Sequence, residues 1–133
     1  MADTMQFDLV TPERKLSSVP VREVRLPGSE GDLTVMPGHA PLITTIRPGF
    51  VTVVAADGAE TQFGVTGGFA EIAPEGVSLL AERGVPRDEL TTELVERYIE
   101  EARKALEEAK PDVVDAATKV LADMEAFGTH MNA

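Results

Sequence analysis

Few residues in this sequence have the types and spacing that catalysis requires. Its two histidines, His39 and His130, are far apart in the chain, and the sequence contains no cysteine. Because clustered imidazole and thiolate groups form most transition-metal sites, the sequence predicts no metal centre. A Ser–His–Asp site would have to use His39, which no nucleophile-elbow motif accompanies. A small hydrolase that pairs His39 with acidic residues is therefore kept only as an alternative.

Two glycine-containing stretches share only their glycines with nucleotide-binding loops. Residues 28–34, Gly-Ser-Glu-Gly-Asp-Leu-Thr, lack the Gly-Lys-Ser/Thr ending of a phosphate loop. Gly67 and Gly68 lie between two strand-like segments and begin no helix, so the dinucleotide fingerprint is absent as well. Both stretches are interpreted as turns, and no cofactor is predicted from them.

The most distinctive segment is residues 36–42, Met-Pro-Gly-His-Ala-Pro-Leu. Its two prolines fix φ and remove two backbone donors, while Gly38 permits a tight bend. The segment therefore predicts a stiff, protruding loop that presents His39 and Leu42 in a fixed geometry. A rigid loop loses little conformational entropy when it binds, which suits a protein interface. On composition alone, a loop histidine with a purely structural role is the competing interpretation.

The overall composition limits the class of partner. The 133 residues carry a net charge of −11. This charge argues against nucleic acid or anionic lipid as a direct partner, because both are bound through lysine and arginine. A basic protein surface is the better complement. No segment approaches the roughly 18 apolar residues of a membrane span, and the first residues lack the pattern of a signal peptide, so we expect a soluble, intracellular protein.

The first 87 residues have the composition of an all-β domain. They contain eight of the nine prolines and ten of the eleven glycines. The turn-forming residues 57–58 (Asp-Gly) and 74–76 (Pro-Glu-Gly) each separate two short apolar runs, as in β-hairpins. Many short strands without intervening helices favour a β-sandwich or barrel. The composition changes near residues 84–86, where we expect the boundary between domains 1–87 and 88–133.

Residues 88–133 have the pattern of an antiparallel two-helix hairpin. Pro111 interrupts the helical periodicity, Asp112 is expected to cap the second helix, and Gly128 is expected to end it. Alanines on the facing stripes would let the two helices approach closely. The predicted stripes are Leu94, Tyr98, Ala102, Leu106 and Ala109, widened by Val95 and Ile99, in the first helix, and Val113, Ala117, Val120, Leu121 and Met124 in the second.

The run of residues 29–42, Ser-Glu-Gly-Asp-Leu-Thr-Val-Met-Pro-Gly-His-Ala-Pro-Leu, resembles the signature of the epsilon subunits of F-type ATP synthases. Residues 48–49 (Pro-Gly) and 67–71 (Gly-Gly-Phe-Ala-Glu) follow in the order expected for that family. The resemblance covers the whole chain and is strongest over residues 5–82. It implies a β-sandwich of about ten strands followed by a two-helix hairpin, and a non-catalytic part of the central stalk of a bacterial ATP synthase.

The resemblance also implies partners and site residues. The sandwich would bind the gamma subunit and the ring of c subunits, so that all three turn as one rotor at the cytoplasmic face of the bacterial inner membrane. The implied interface residues are Ser29, Glu30 and Gly31 towards the c ring, and His39, Ala40 and Leu42 towards gamma. An unrelated β-sandwich module that binds carbohydrate or peptide is the alternative function.

In the family, the hairpin regulates ATP hydrolysis by extending to the beta and alpha subunits of the catalytic head. Some relatives bind ATP through an Ile/Leu-Asp-x-x-Arg-Ala motif, of which Arg97 alone matches here, because Leu94 replaces the aspartate and Tyr98 the alanine. We therefore expect no ATP cofactor, with a stand-alone ATP sensor as the alternative. After Pro111 the one lysine or arginine is Lys119, so docking against an acidic segment is disfavoured and inhibition should be weak or absent.

Overall fold

The structure, a computed structural model, describes the backbone of residues 4–132 and the side chains of residues 4–129, so the side chain of His130 lies outside the described range. Over these residues, nine strands are followed by two α-helices. The strands are β1 Met5–Val10, β2 Lys15–Gly28, β3 Gly31–Val35, β4 Leu42–Ile46, β5 Gly49–Ala55, β6 Glu60–Val65, β7 Gly68–Ala73, β8 Gly76–Ala81 and β9 Gly84–Pro86. The helices are α1 Thr92–Glu107 and α2 Val114–Asn132, with 3₁₀ turns at Arg87–Glu89 and Pro111–Val113.

The long strand β2 connects the two layers of the sandwich. It has 14 residues, of which the first half pairs with β1 and the second half pairs with β3 and β5. Its register with β5 shifts between Val21 and Glu23, and a bulge of this kind lets a long strand bend from one layer to the next. The β-sandwich predicted from the sequence is confirmed, with nine strands over the described residues in place of about ten.

Period-two alternation fills the space between the layers. In β8, Val77, Leu79 and Ala81 are buried, while Ser78 and Leu80 point outward. The buried set packs with side chains of the neighbouring strands, including Phe7 of β1. Truncating a fully buried leucine such as Leu79 to alanine costs about 2–5 kcal/mol, so this alternation fixes which face of each strand can serve as a binding surface.

Three strands differ from the sequence interpretation. Residues 28–34 were expected to form a turn, but only Ser29 and Glu30 do so, and Gly31–Val35 is β3. Leu42 was expected at the end of a loop and is instead the first residue of β4. Residues 84–86, near which the composition changes, were not predicted to be a strand, yet they form β9 and pair with β6.

The contacts divide the chain into two compact units between Arg87 and Asp88. Arg87 is fixed to the sandwich, because its guanidinium carbon lies 4.6 Å from the centroid of the Phe50 ring. It also donates a hydrogen bond to Oε1 of Gln62. The sandwich unit therefore ends at an anchored residue.

Helix α1 begins at a side-chain cap that the sequence interpretation missed. The hydroxyl of Thr91 accepts a hydrogen bond from the backbone N–H of Leu94 at 3.1 Å, a cap worth about 1 kcal/mol. Val95, Tyr98 and Ala102 are buried, so the predicted stripe is confirmed at its centre. Helix α1 ends before Pro111, as predicted.

Helix α2 departs from the prediction at both ends. Pro111 occupies the first position of a 3₁₀ turn that leads into α2, and Asp112 lies inside that turn instead of capping the helix. Val113 and Val120 were expected to face α1, but they are 46% and 47% exposed. The described buried residues of α2 are Met124, Phe127 and Gly128, which lie nearer its C-terminal end.

Gly128 does not end α2, which continues to Asn132. A Cβ atom at Gly128 would lie 3.1 Å from Cδ1 of Ile99 and 3.3 Å from Cγ1 of Val95. The residue is therefore glycine because α1 passes directly over it. Close packing between the helices outweighs the cost of about 1 kcal/mol that glycine carries in a helix interior.

This contact predicts the effect of a larger side chain at Gly128. We expect Gly128→Leu to force α1 and α2 apart and to lower the stability of the hairpin by about 1–3 kcal/mol. Thermal melting followed by far-UV circular dichroism would show an earlier loss of helical signal. Ala126→Leu is the matched control, since Ala126 is exposed on the same helix. Equal melting curves for the two variants would contradict the packing assignment.

Candidate interaction surface

The turn that carries Ser29, Glu30 and Gly31 joins β2 to β3. The residues on either side of the two-residue connection, Gly28 and Gly31, are directly paired. A Cβ at Gly28 would lie 2.5 Å from the carbonyl oxygen of Gly31, and Gly31 has φ of +138°, so both positions require glycine. Glu30 and Gly31 are exposed at the tip, while Ser29 is half-buried.

This turn is held against β4 by several hydrogen bonds. The N–H of Ser29 donates to the carbonyl of Thr45 at 3.0 Å, and the two hydroxyl oxygens lie 2.6 Å apart. The guanidinium of Arg47 donates to the carbonyl of Gly28 and forms an ion pair with Asp32 at 2.5 Å. The tip is therefore braced at its base and presents Glu30, which has no hydrogen-bond or ion-pair partner among the described residues, towards solvent.

The loop that carries His39 is a type II turn. The N–H of His39 donates to the carbonyl of Met36 at 3.2 Å, with Pro37 and Gly38 as the central residues and φ of +89° at Gly38. The N–H of Gly38 donates in turn to the carbonyl of Pro74 at 2.8 Å, which connects the loop to the β7–β8 turn. The geometry is that of the stiff loop predicted from the sequence.

Within this loop the His39 ring is fixed by its neighbour. Its Nδ1 lies 2.6 Å from the carbonyl oxygen of Ala40, and because a carbonyl can only accept, Nδ1 carries the hydrogen. The His39 side chain is half-buried, and Ala40 is exposed. Leu42, across from Ile72 in the β4–β7 pair, is 43% exposed.

An exposed apolar patch on the outer face of β4, β7 and β8 was missed by the sequence interpretation. Ile43 is 70% exposed, and Phe69 and Leu80 are each 44% exposed. Phe69 lies directly opposite both Thr45 and Leu80, and Ile43 is diagonal to it, so the three side chains are neighbours. The alternation within β7, where Ala70 and Ile72 point inward, was the sequence signal that Phe69 faces outward.

The same outer face becomes polar towards β1 and β2. The hydroxyl of Ser18 donates to Oδ1 of Asp8 at 2.6 Å, and the Gln6 amide donates to the Ser18 oxygen at 3.1 Å. The hydrogen bond from Ser18 holds the pKa of Asp8 below its ordinary value, against a smaller opposing effect of burial. Asp8 therefore stays ionised to a lower pH than a free aspartate, and the apolar patch has a charged border.

The helical unit has a groove of about 450 Å³ between α1 and α2, beside Gly128. Its charged lining residues, among those described, are Glu96, Glu100, Glu125 and Arg103. Arg103 donates to Glu100 at 2.5 Å, so its charge is already compensated. Arg97, the sequence match to the ATP motif, is exposed and is not among the described lining residues. A triphosphate would meet net negative charge here.

The described residues contain no group of three or more metal-ligating side chains placed to hold a metal ion. Within the described range, neither helix is both long and apolar enough to cross a membrane. The chemistry that the geometry offers is that of recognition: a braced acidic turn, a stiff histidine loop and an apolar outer face.

Known proteins match this chain over nearly its whole length. Residues 4–87 match the family described as the ATP synthase delta/epsilon chain, beta-sandwich domain. The ATP synthase epsilon chain of Paracoccus denitrificans is 64% identical over 98% of this chain and 93% of its own length, and that of Rhodobacter capsulatus is 60% identical over 99% of each. A chain in a cryo-EM structure of the Euglena gracilis mitochondrial ATP synthase has a TM-score of 0.74, covering 98% of this chain and 83% of that one. At 22% identity, this last likeness shows the fold alone.

The type II turn predicts a specific cost for Gly38→Ala. No atom lies within 4 Å of the added Cβ, so the substitution introduces no clash and only the positive φ is unfavourable. We expect a loss of about 1–2 kcal/mol in urea denaturation of the chain. Gly38→Asn should recover part of this loss, because asparagine tolerates positive φ. Wild-type stability for Gly38→Ala would show that the loop does not depend on this turn.

Proposed function

The chain belongs to the family of ATP synthase delta/epsilon chains, and from this premise we propose that it is a non-catalytic, central-stalk part of the rotor of a bacterial ATP synthase. The observation that carries the proposal is the end-to-end match to chains named ATP synthase epsilon chain, at 64% and 60% identity. The carbohydrate- or peptide-binding module and the small hydrolase considered above have no comparable support.

We assign the gamma subunit to the surface that begins at the His39 loop and continues over the outer face. Exposed apolar side chains of this number on one sheet face are typical of a protein interface. His39 and Leu42 are held by the type II turn and by β4, so little entropy is lost when they bind. The patch formed by Ile43, Phe69 and Leu80 lies on the outer face, whereas Leu42 is on the inward side of the sheet with Ile72, so gamma would contact both by extending over the edge of β4.

We assign the c ring to the turn of Ser29, Glu30 and Gly31. Glu30 is the exposed acidic residue at its tip, and the hydrogen bonds from Ser29 and Arg47 to neighbouring backbone hold the tip in place. A carboxylate on a braced turn is suited to a cation on a partner loop. In this arrangement the protein is peripheral, at the cytoplasmic face of the inner membrane, and is attached through its partners.

For the helical unit, residues 88–133, we propose a regulatory role with weak or no inhibition of ATP hydrolysis. Docking of α2 against an acidic surface of the beta or alpha subunits would require basic residues. Lys119 already pairs with Asp123 at 3.0 Å, and Asp112 and Asp115 lie at the start of the second helix. To shift a two-state equilibrium from 1:99 to 99:1 requires roughly 5.5 kcal/mol of differential binding, for which these charges offer no source.

The gamma assignment predicts that His39→Glu combined with Leu42→Ala weakens binding of the gamma subunit by about tenfold or more, since it adds a charge and removes apolar contact area. Titration calorimetry with purified gamma measures the affinity. Both side chains are partly exposed, so the melting temperature should change little. Thr61→Ala, an exposed change on β6, serves as the control. Unchanged affinity of the double variant for gamma would show that the assignment of gamma to this surface is wrong.

The regulatory assignment predicts that truncation after Arg87 leaves ATPase activity of the assembled enzyme nearly unchanged. Arg87 is anchored to Phe50 and Gln62, so the shortened chain should retain the sandwich. Steady-state hydrolysis by the complex with full-length and truncated chain gives the comparison, with assembly checked by gel filtration. A several-fold rise on truncation would show that the helices inhibit strongly.

A further inference from the structure

A groove of about 460 Å³ lies between β3 and β4 within the sandwich unit. Its apolar part is formed by Leu33, which is half-buried, and Leu42, which is 43% exposed. The hydrogen bonds between Ser29 and Thr45 close one end, where the two strands meet. The groove is therefore preformed, because both of its walls are fixed to the sheet.

The wall formed by β3 has an unpaired backbone edge. Among the described strands, β3 pairs with β2 alone, and in that ladder Asp32 lies opposite Pro27. Because proline has no N–H, the pair of Pro27 and Asp32 cannot exchange two hydrogen bonds, which identifies it as a non-hydrogen-bonded pair. By alternation, the N–H and C=O groups of Asp32 and Thr34 point away from β2. None of the described backbone hydrogen bonds outside the ladders uses them.

The wall formed by β4 is oriented in the same way. The carbonyl of Thr45 accepts from Ser29, so the backbone groups of Thr45 point away from β7. Ile43, two residues earlier in the strand, points its N–H and C=O to the same side. Two strand edges with unused donors and acceptors therefore border the groove, with the longer free stretch on β3.

The charges at the closed end are unequal. Asp32 is compensated by Arg47 at 2.5 Å. Glu30, which also lines the groove, has no described partner and is exposed. That uncompensated charge belongs to the turn assigned to the c ring. Leu42, three residues before Thr45, borders the open part of the groove, so this part of the groove continues the surface assigned to gamma.

We propose that this groove receives an extended segment of the gamma subunit, which pairs as an added strand with the free edge of β3. The segment places an apolar side chain between Leu33 and Leu42. Backbone hydrogen bonds would supply affinity, and the apolar cleft between the two strands would supply specificity. The inference rests on the proposed function, since it takes gamma as the partner that contacts Leu42.

The test uses a proline that blocks strand addition without disturbing the β2–β3 ladder. Proline is tolerated on an edge strand where the N–H faces outward, and the side chain of Thr34 is exposed. We expect Thr34→Pro to weaken gamma binding about tenfold or more in titration calorimetry, because a hydrogen bond is lost and the ring obstructs the added strand. Thr34→Ala, which keeps the N–H, should bind within about twofold of wild type.

Hydrogen exchange of the wild-type chain provides a readout that does not depend on a variant folding. The amides of Asp32 and Thr34 should exchange markedly more slowly in the complex with gamma than in the free chain. The proposal would be overturned if both amides exchanged at the same rate in the complex with gamma as in the free chain. It would also be overturned if the purified c ring slowed their exchange and gamma did not. If the His39→Glu, Leu42→Ala variant loses gamma binding while Thr34→Pro retains it, the strand-addition proposal is wrong but the assignment of gamma to Leu42 stands. If neither variant loses binding, the assignment of gamma to this side of the sandwich is wrong as well.

Discussion

The contact between the end of β2 and β4 is the constraint on which the candidate surfaces depend. Gly28 pairs with Ile46 there, and the chain can reverse because Gly28 has no Cβ, which would lie only 2.5 Å from the carbonyl oxygen of Gly31. Arg47 secures the same point by donating to the Gly28 carbonyl. This contact joins the two layers, supports the acidic turn and closes one end of the groove. A side chain at position 28 would disturb all three together.

The sequence predicted those elements whose signals are local. The turns at residues 57–58 and 74–76 are present as hairpins, because the residues that permit them are adjacent in the chain. Strand β3 was missed because Gly31 and Asp32, at its start, are residues that strands disfavour, and pairing with β2 overrides that preference. The apolar patch was missed because propensity favours burying the large aromatic Phe69, whereas the alternation of β7 places Ala70 and Ile72 in the core and Phe69 on the outer face.

The helical unit shows the same division between local and tertiary signals. A glycine near the end of an amphipathic pattern is a stop signal by propensity, yet Gly128 lies inside α2 because Val95 and Ile99 occupy the space beside it. The close approach there draws the buried contacts towards Met124 and Phe127. Val113, in the 3₁₀ turn before α2, and Val120, in the first half of α2, are left exposed. The apolar periodicity predicted the helical hairpin, but the position along α2 at which the two helices pack most closely depends on Gly128.

The proposed binding surfaces all lie on parts of the chain whose backbone is already fixed. Glu30 is on a turn braced by Ser29 and Arg47, and His39 is on a type II turn tied to the carbonyl of Pro74. Ordering a flexible loop would subtract roughly 1–2 kcal/mol of backbone entropy per residue from the binding free energy. A subunit that must stay attached while torque passes through it benefits from avoiding that loss. This explains why the residues with the most recognisable spacing in the sequence are also those with the most restricted backbone.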